Sequence, residues 1–202
     1  NDWAGSEQND FKRRNLGLFK AEVSRNAIRA GSYDSRPPGP ANGTAYATRL
    51  DPEVQLVTVD VFERTPDDVV PRLDPQQLRW MDDVLADAQA DGVDWIIVQG
   101  HVPVLRPVRQ VSSSGLYYET GAARTFWDTL ARHGVDLYLS GEVHDVTALQ
   151  RQGVTQISHG GIFGHGGYSG RGGTSYLVGQ VDGDTVDLVA KRFRVSERTT
   201  ER

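Results

Sequence analysis

Apolar and polar positions follow several distinct rhythms along this chain. Val54-Gln55-Leu56-Val57-Thr58-Val59-Asp60 alternates and then turns fully apolar, the pattern of a strand. Asp74-Pro75-Gln76-Gln77 marks a helix start: Asp74 caps, Pro75 fits the first turn, and Gln77 stands where a capping-box partner reaches back. Leu78, Met81, Leu85 and Ala88 then form one apolar stripe, widened by Trp80 and Val84, so Trp80 and Met81 are assigned to the core. Asp91-Gly92 ends that helix and the strand Val93 to Val98 follows at once. A second helix runs from Gly121 to His133 through Phe126, Trp127 and Leu130, is stopped by Gly134, and feeds the strand Val135 to Leu139. His133 is expected as a helix-terminal charge. Strands alternating with helices predict a layered α/β fold.

The two ends of the chain are less regular. A helix is expected around Gln8 to Arg29, a surface loop over Gly31 to Thr44 with Pro37-Pro38-Gly39-Pro40, and a short strand from Tyr46 to Leu50. Asn42-Gly43-Thr44 matches a glycosylation acceptor, a triplet common by chance. Beyond Glu142, short apolar runs at Val146 to Leu149, Val154 to His159, Tyr176 to Val181 and Val186 to Phe193 predict an antiparallel meander. Its tight turns fall at Gln152-Gly153 and Asp182-Gly183-Asp184, and a Gly-rich loop spans 160–173. The tail 196–202 is polar and expected to fray. No repeat or linker interrupts the chain, so residues 1–202 are taken as one domain.

Composition narrows the classes. A chain of 202 residues, 38% hydrophobic and 24% charged, builds an ordinary core. A net charge of -5 argues against a nucleic-acid partner, and the absence of Cys removes thiolate metal sites and disulfides. No apolar run approaches the roughly 20 residues of a membrane helix, so no membrane partner is expected. The chain starts at Asn1 without an initiator Met, which leaves localisation undecided between secreted, periplasmic and other compartments.

The candidate chemistry lies at two strand ends. Trp95 to Gln99 stops at Gly100-His101-Val102-Pro103, and Val135 to Leu139 stops at Ser140-Gly141-Glu142-Val143-His144. In extended chain, residues two apart share a face, so Glu142 and His144 meet one site. Imidazole and carboxylate together suit Zn, Mn or Fe. Asp145 is either an orienting partner or a turn residue, and Asp60 either a site residue or a strand-end hydrogen-bonding group. The long loop His101 to Gly121 and the Gly-rich loop carry substrate selection, with His159 and His165 as candidate substrate contacts. Gly164 to Ser169 does not complete GxGxxG, and Gly167-Tyr168-Ser169-Gly170-Arg171 fails as GxSxG.

At these residues the chain resembles the calcineurin-like metallophosphoesterases, with purple acid phosphatases as the nearest relatives. Gly100-His101 resembles that family's strand ending in His, and Gly141-Glu142-Val143-His144 its Gly-His-x-His motif, with Glu142 where His is usual. The helix opening at Leu73-Asp74-Pro75 and the strand Val54 to Asp60 fall in the matching order. The family's first two motifs, Asp-x-His and Gly-Asp-x-x-Asp or Tyr, are absent. Asn1-Asp2-Trp3 resembles the tail of the third, Gly-Asn-His-Asp or Glu, which makes Asn1 and Asp2 candidate catalytic residues. Asn1 stands either for the metal-ligand Asn or for the His.

The resemblance implies a two-sheet β-sandwich flanked by helices in αββα layers, with the N-terminal part missing. It implies two divalent or trivalent metal ions, Fe, Mn or Zn. His101 and Glu142 would hold one and His144 the other, with an activated water attacking a small-molecule phosphate ester. A carboxylate at position 142 lowers the charge of such a centre. With nearly all ligands of the first metal absent, residues 1–202 alone are expected to be weakly active or inactive, with a sheet edge left open where the missing strands belong. A degenerate, non-catalytic binding relative is the alternative, and a binding domain with purely structural histidines the third reading.

Overall fold

The computed structural model describes residues 14–18, 20–22, 33–106, 116–143, 146–159 and 174–193, without the side chains of 174, 175, 192 and 193. Among the described residues the strands are β1 (Tyr46–Asp51), β2 (Val54–Thr58), β3 (Phe62–Arg64), β4 (Val69–Pro71), β5 (Trp95–Gln99), β6 (Leu137–Ser140), β7 (Thr147–Arg151), β8 (Val154–Ser158), β9 (Thr174–Asp182) and β10 (Thr185–Phe193). Helix α1 (Pro75–Ala90) separates β4 from β5, and α2 (Thr120–Arg132) separates β5 from β6. Residues 14–18 and 20–22 are also helical, inside the range expected for the first helix.

The fold is mixed α/β. Six strands form one sheet in the order β1-β2-β5-β6-β8-β7, while β3-β4 and β9-β10 are separate two-stranded sheets. Strands β2, β5, β6 and β8 are parallel, and β1 and β7 close the sheet as antiparallel edges. The register sets Val54 beside Trp95 and Ile97 beside Leu137, so side chains sort cleanly onto two faces. One face carries Val57, Ile96, Val98, Tyr138 and Val154, all buried. Successive crossovers from β2 to β5 to β6 advance in one direction, which lays α1 and α2 side by side on that face. Their buried residues, Trp80, Met81, Leu85, Ala88, Phe126 and Leu130, fill the core, as the apolar stripes predict. The Phe126 ring meets Tyr138 edge-on at 5.3 Å and stacks on Tyr118 at 5.2 Å.

The opposite face carries Trp95, Ile97, Leu137, Leu139 and Ile157. The β9-β10 hairpin lies on this side: the Gly183 carbonyl accepts the Trp95 indole N–H at 2.8 Å. This hairpin and the helical residues near Leu16 are the described second layer.

Several boundaries and pairings depart from expectation. Asp74 caps α1 through Gln76 N and Gln77 N, but Gln77 does not reach back to complete a capping box. Its side chain is fully buried and turns to the backbone of Asp60. The meander beyond residue 146 is not formed. β7 and β8 make a hairpin on the main sheet, β8 pairs in parallel with β6, and among the described residues β9 pairs only with β10. Short apolar runs carry no information on parallel or antiparallel partners, which is why the pattern misled there. The β7-β8 turn does use the expected residues, with Gln152 and Gly153 at φ 53 and 88, the left-handed pair of a type I′ turn. Strands β3 and β4 have three residues each and are too short to stand out in the sequence. The Gly-rich loop 160–173 and the tail 196–202 lie outside the described residues.

Candidate functional site

Parallel strands place their carboxyl ends at one edge of the sheet, where the chain leaves into loops. Here those ends are Thr58, Gln99, Ser140 and Ser158. The residues that follow them, Val59-Asp60, Gly100-His101, Gly141-Glu142 and His159, therefore converge. An open cleft of about 660 Å³ lies at this edge, lined among others by Asp60, Phe62, His101, Ser140, Gly141 and His159.

His101 and Glu142 meet there. The His101 Nε2 and Glu142 Oε2 atoms are 3.0 Å apart, with half of the His101 side chain exposed and Glu142 buried. Backbone bonds fix the pair. The His101 carbonyl accepts both Gly141 N–H and Glu142 N–H at 2.9 Å, and Gly100 N–H donates to the Leu139 carbonyl at 2.9 Å. The next residues, Val102 and Val143, are completely buried and act as anchors behind the two functional side chains. The Tyr138 hydroxyl donates to the Val102 carbonyl at 2.7 Å, tying the turn after β5 to β6. Burial pushes the Tyr138 and Tyr118 hydroxyls well above the ordinary tyrosine range.

Gly100 is required by space. A Cβ built there would lie 2.7 Å from Val61 Cγ1 and 2.9 Å from the Tyr138 hydroxyl. The bare backbone lets β5 pass between these side chains and deliver His101 to the cleft.

Asp60 sits on the other side of the same cleft. Its Oδ2 accepts the Thr44 hydroxyl at 2.5 Å and pairs with Lys20 Nζ at 2.5 Å, and its Oδ1 accepts Phe62 N–H at 3.1 Å. Lys20 also donates to the Phe62 carbonyl at 2.9 Å. Gln77 holds the Asp60 backbone from below, accepting its N–H at 2.7 Å and donating to its carbonyl at 2.9 Å. Asp60 thus makes the strand-end hydrogen bonds that the sequence allows and also lines the cleft. Lys20 and Thr44 carry no sequence signal, because one lysine on a helix and one threonine in a loop match no motif.

Of the residues singled out from the sequence, His101 and Glu142 are in contact and His159 lines the same cleft, its N–H bonded to the Ser140 carbonyl at 2.7 Å. Asn1, Asp2, His144, Asp145 and His165 lie outside the described residues. His133 does cap the end of α2, yet it is also buried between the helices, with Asp82 at 2.6 Å and Gln89 at 2.8 Å, and it does not line the cleft.

The donor pair suits a metal in part. Cis ligands on bonds of about 2.1 Å stand roughly 3 Å apart, the separation of His101 Nε2 and Glu142 Oε2. Among the described residues no group of three His, Asp or Glu converges to complete a coordination sphere. The cleft therefore contributes two donors and needs others from elsewhere.

No protein-family model matches the chain, and no curated protein does. Solved structures similar to it include GAP50, the anchor in the inner membrane complex of Plasmodium (19% identity, TM-score 0.42), over 54% of this chain and 32% of that one. A dimetal phosphatase from Danio rerio is similar at 15% identity and TM-score 0.45, over 56% and 48% of the two chains. A purple acid phosphatase from yellow lupin (Lupinus luteus) seeds is similar at 13% identity and TM-score 0.44, over 62% and 24%. The chain thus spans less than half the length of each. A likeness this slight assigns neither a family nor an activity.

Proposed function

We propose that this chain carries part of the site of a metal-dependent phosphoesterase that hydrolyses small-molecule phosphate esters. The observation that carries the reading is the contact of His101 with Glu142 at 3.0 Å, at the carboxyl ends of adjacent parallel strands and on the wall of an open cleft. The resemblance of Gly100-His101 and Gly141-Glu142-Val143-His144 to metallophosphoesterase motifs supports it.

In this reading His101 and Glu142 hold one metal ion and His144 a second, the ions being Fe, Mn or Zn. When bound, such a pair neutralises phosphoryl oxygens and supplies a nucleophilic hydroxide near neutral pH. The work of the chain itself is positional. The bonds to the His101 carbonyl fix the imidazole against the carboxylate, and Gly100 keeps its approach open. Lys20 balances the Asp60 charge at the cleft wall, and His159 contacts the substrate. Asn1, Asp2 and His165 are assigned to the same site, Asn1 and Asp2 in catalysis and His165 in substrate contact.

The test is metal content and aryl-phosphate turnover of the full-length protein, with His101→Ala and His144→Ala alongside. Each variant is expected to lose bound metal and turnover together; unchanged metal and unchanged turnover in both overturn the assignment. A second reading, a binding protein without catalysis, is favoured by one specific observation: only two donors converge among the described residues, one of them a glutamate. Turnover of phosphate esters by the full-length protein with added Mn or Fe would refute it.

A further inference from the structure

Away from the cleft, a second groove runs between α2, the segment 102–106 after β5, and the edge strand β7. It has two lobes, of about 450 and about 220 Å³, which share Val104, Leu105, Thr120, Ala123 and Arg151 and are therefore continuous. Val104, Leu105, Ala123 and Leu149 supply its apolar lining, with Trp127 at the smaller lobe, and the polar lining, Thr120 and Gln150 included, is of similar extent. Its rim is cationic: Arg106 and Arg151 border the larger lobe, Arg124 and Arg151 the smaller.

Two features set this groove apart from ordinary surface. First, the charge is unbalanced. The protein carries a net -5, yet three arginines gather here against a single lining carboxylate, Asp128. Among the described residues none of the three makes an ion pair, although other surface arginines do, Arg49 with Asp91, Arg72 with Glu63 and Arg132 with Asp82. Arg106 instead lies over the Tyr117 ring at 3.7 Å, a cation–π contact that steadies its guanidinium at the groove. Second, the Trp127 indole N–H is buried without an acceptor among the described residues. Buried indole donors ordinarily find one.

We propose that this groove binds an anionic amphiphile: a carboxylate or phosphate head held among Arg106, Arg124 and Arg151, and an aryl or short alkyl body laid on Val104, Leu105 and Leu149. Guanidinium forks match both head groups, and their joint volume fits a small-molecule site. The segment of this chain between Arg106 and Leu116 supplies no anion to pair with these arginines. Its sequence, Pro107 to Gly115, contains Arg109 and no acid. The site is independent of the proposed phosphoesterase cleft.

Calorimetric titration of the intact protein with octyl phosphate and with octanoate tests this, with octyl glucoside as the uncharged control. Saturable binding of at least one anion is expected, weakened about tenfold or more in Arg124→Glu/Arg151→Glu, whose exposed positions leave the fold intact by circular dichroism. In the His101→Ala background, where the cleft is not expected to hold a phosphate ester, whichever anion binds more tightly identifies the head group. Absence of binding by both anions at millimolar concentration, equal binding of octyl glucoside, or unchanged affinity in the double variant would each overturn the proposal. Loss of activity in His101→Ala with retained octyl phosphate binding would separate this site from the cleft.

Discussion

Gln77 and Asp60 are joined twice: the glutamine amide accepts the aspartate N–H and donates to the aspartate carbonyl, so one buried side chain replaces a missing strand partner. The chain leaves β2 at Thr58, and beyond it the Asp60 peptide has no ladder neighbour to satisfy both groups. Gln77 supplies the pairing from the first turn of α1, and thereby fixes where the Asp60 carboxylate stands in the cleft.

Replacing Gln77 with Ala is expected to destabilise the protein by about 2 kcal/mol, because it opens a cavity and leaves two part-buried backbone groups of Asp60 unpaired. Urea unfolding measures this. A loss below about 1 kcal/mol would mean that water or a neighbour replaces the amide.

Gly100→Ala should cost about 1–3 kcal/mol through overpacking against Val61 and the Tyr138 hydroxyl. It should also displace His101 from Glu142, since the added methyl forces the chain outward just before the imidazole. The measurement pairs unfolding with metal content; a variant of normal stability would show that the neighbours give way.

Glu142→Gln keeps the shape of the side chain and removes its charge. In the proposed site it is expected to lower metal occupancy about tenfold or more while leaving the fold intact, because Glu142 N–H still bonds the His101 carbonyl. Equal metal content in variant and parent, read by elemental analysis, would exclude Glu142 as a ligand.

Acid should loosen the contact between α1 and α2. Burial pushes the Asp82 carboxyl up, but hydrogen bonds and charge from His133 and Arg132 outweigh it and hold the group below its ordinary 3.8. A depressed carboxylate stabilises the fold above the unfolded value and loses that contribution as pH falls from about 4 through the lower, folded value. The unfolding midpoint of Asp82→Asn should therefore depend less on pH than that of the parent between pH 5 and 2. Identical slopes would count against the ion pairs.

Alkali acts through Tyr118 and Tyr138, both raised by burial from the ordinary 10.0. Below that value both are neutral in either state, so the full stability is present. Above it the unfolded chain ionises while the folded core resists, and stability falls as pH rises. Tyr118→Phe should lessen this decline between pH 9 and 11, as followed by the urea midpoint.

Much of the central fold was legible in the sequence, because β2, α1, β5, α2 and β6 each have strong periodicity and clear stops at Asp74-Pro75, Gly92 and Gly134. Glycine followed by a polar residue at two strand ends pointed to His101 and Glu142, which do meet. What stayed hidden is what depends on tertiary pairing. Gln77 matched a capping-box position, yet a buried backbone at Asp60 competes more strongly for its amide. The partners of β8 and β9 are set by sheet edges that no short apolar run encodes. Lys20 reaches Asp60 across 40 positions of chain, and nothing local announces such a contact.

The two crossovers on one face of the sheet also bear on how the chain folds. β2 pairs with β5 through a connection that holds β3, β4 and α1, and β5 pairs with β6 through α2, so the sheet is expected to grow stepwise from β2 toward β8. His101 arrives with β5 and Glu142 only after β6 docks. A folding intermediate with the first crossover closed would display the imidazole without its carboxylate, and pulse-labelled amides of β5 would protect before those of β6. The contact between His101 and Glu142 would then mark the closing of the second crossover as well as one wall of the cleft.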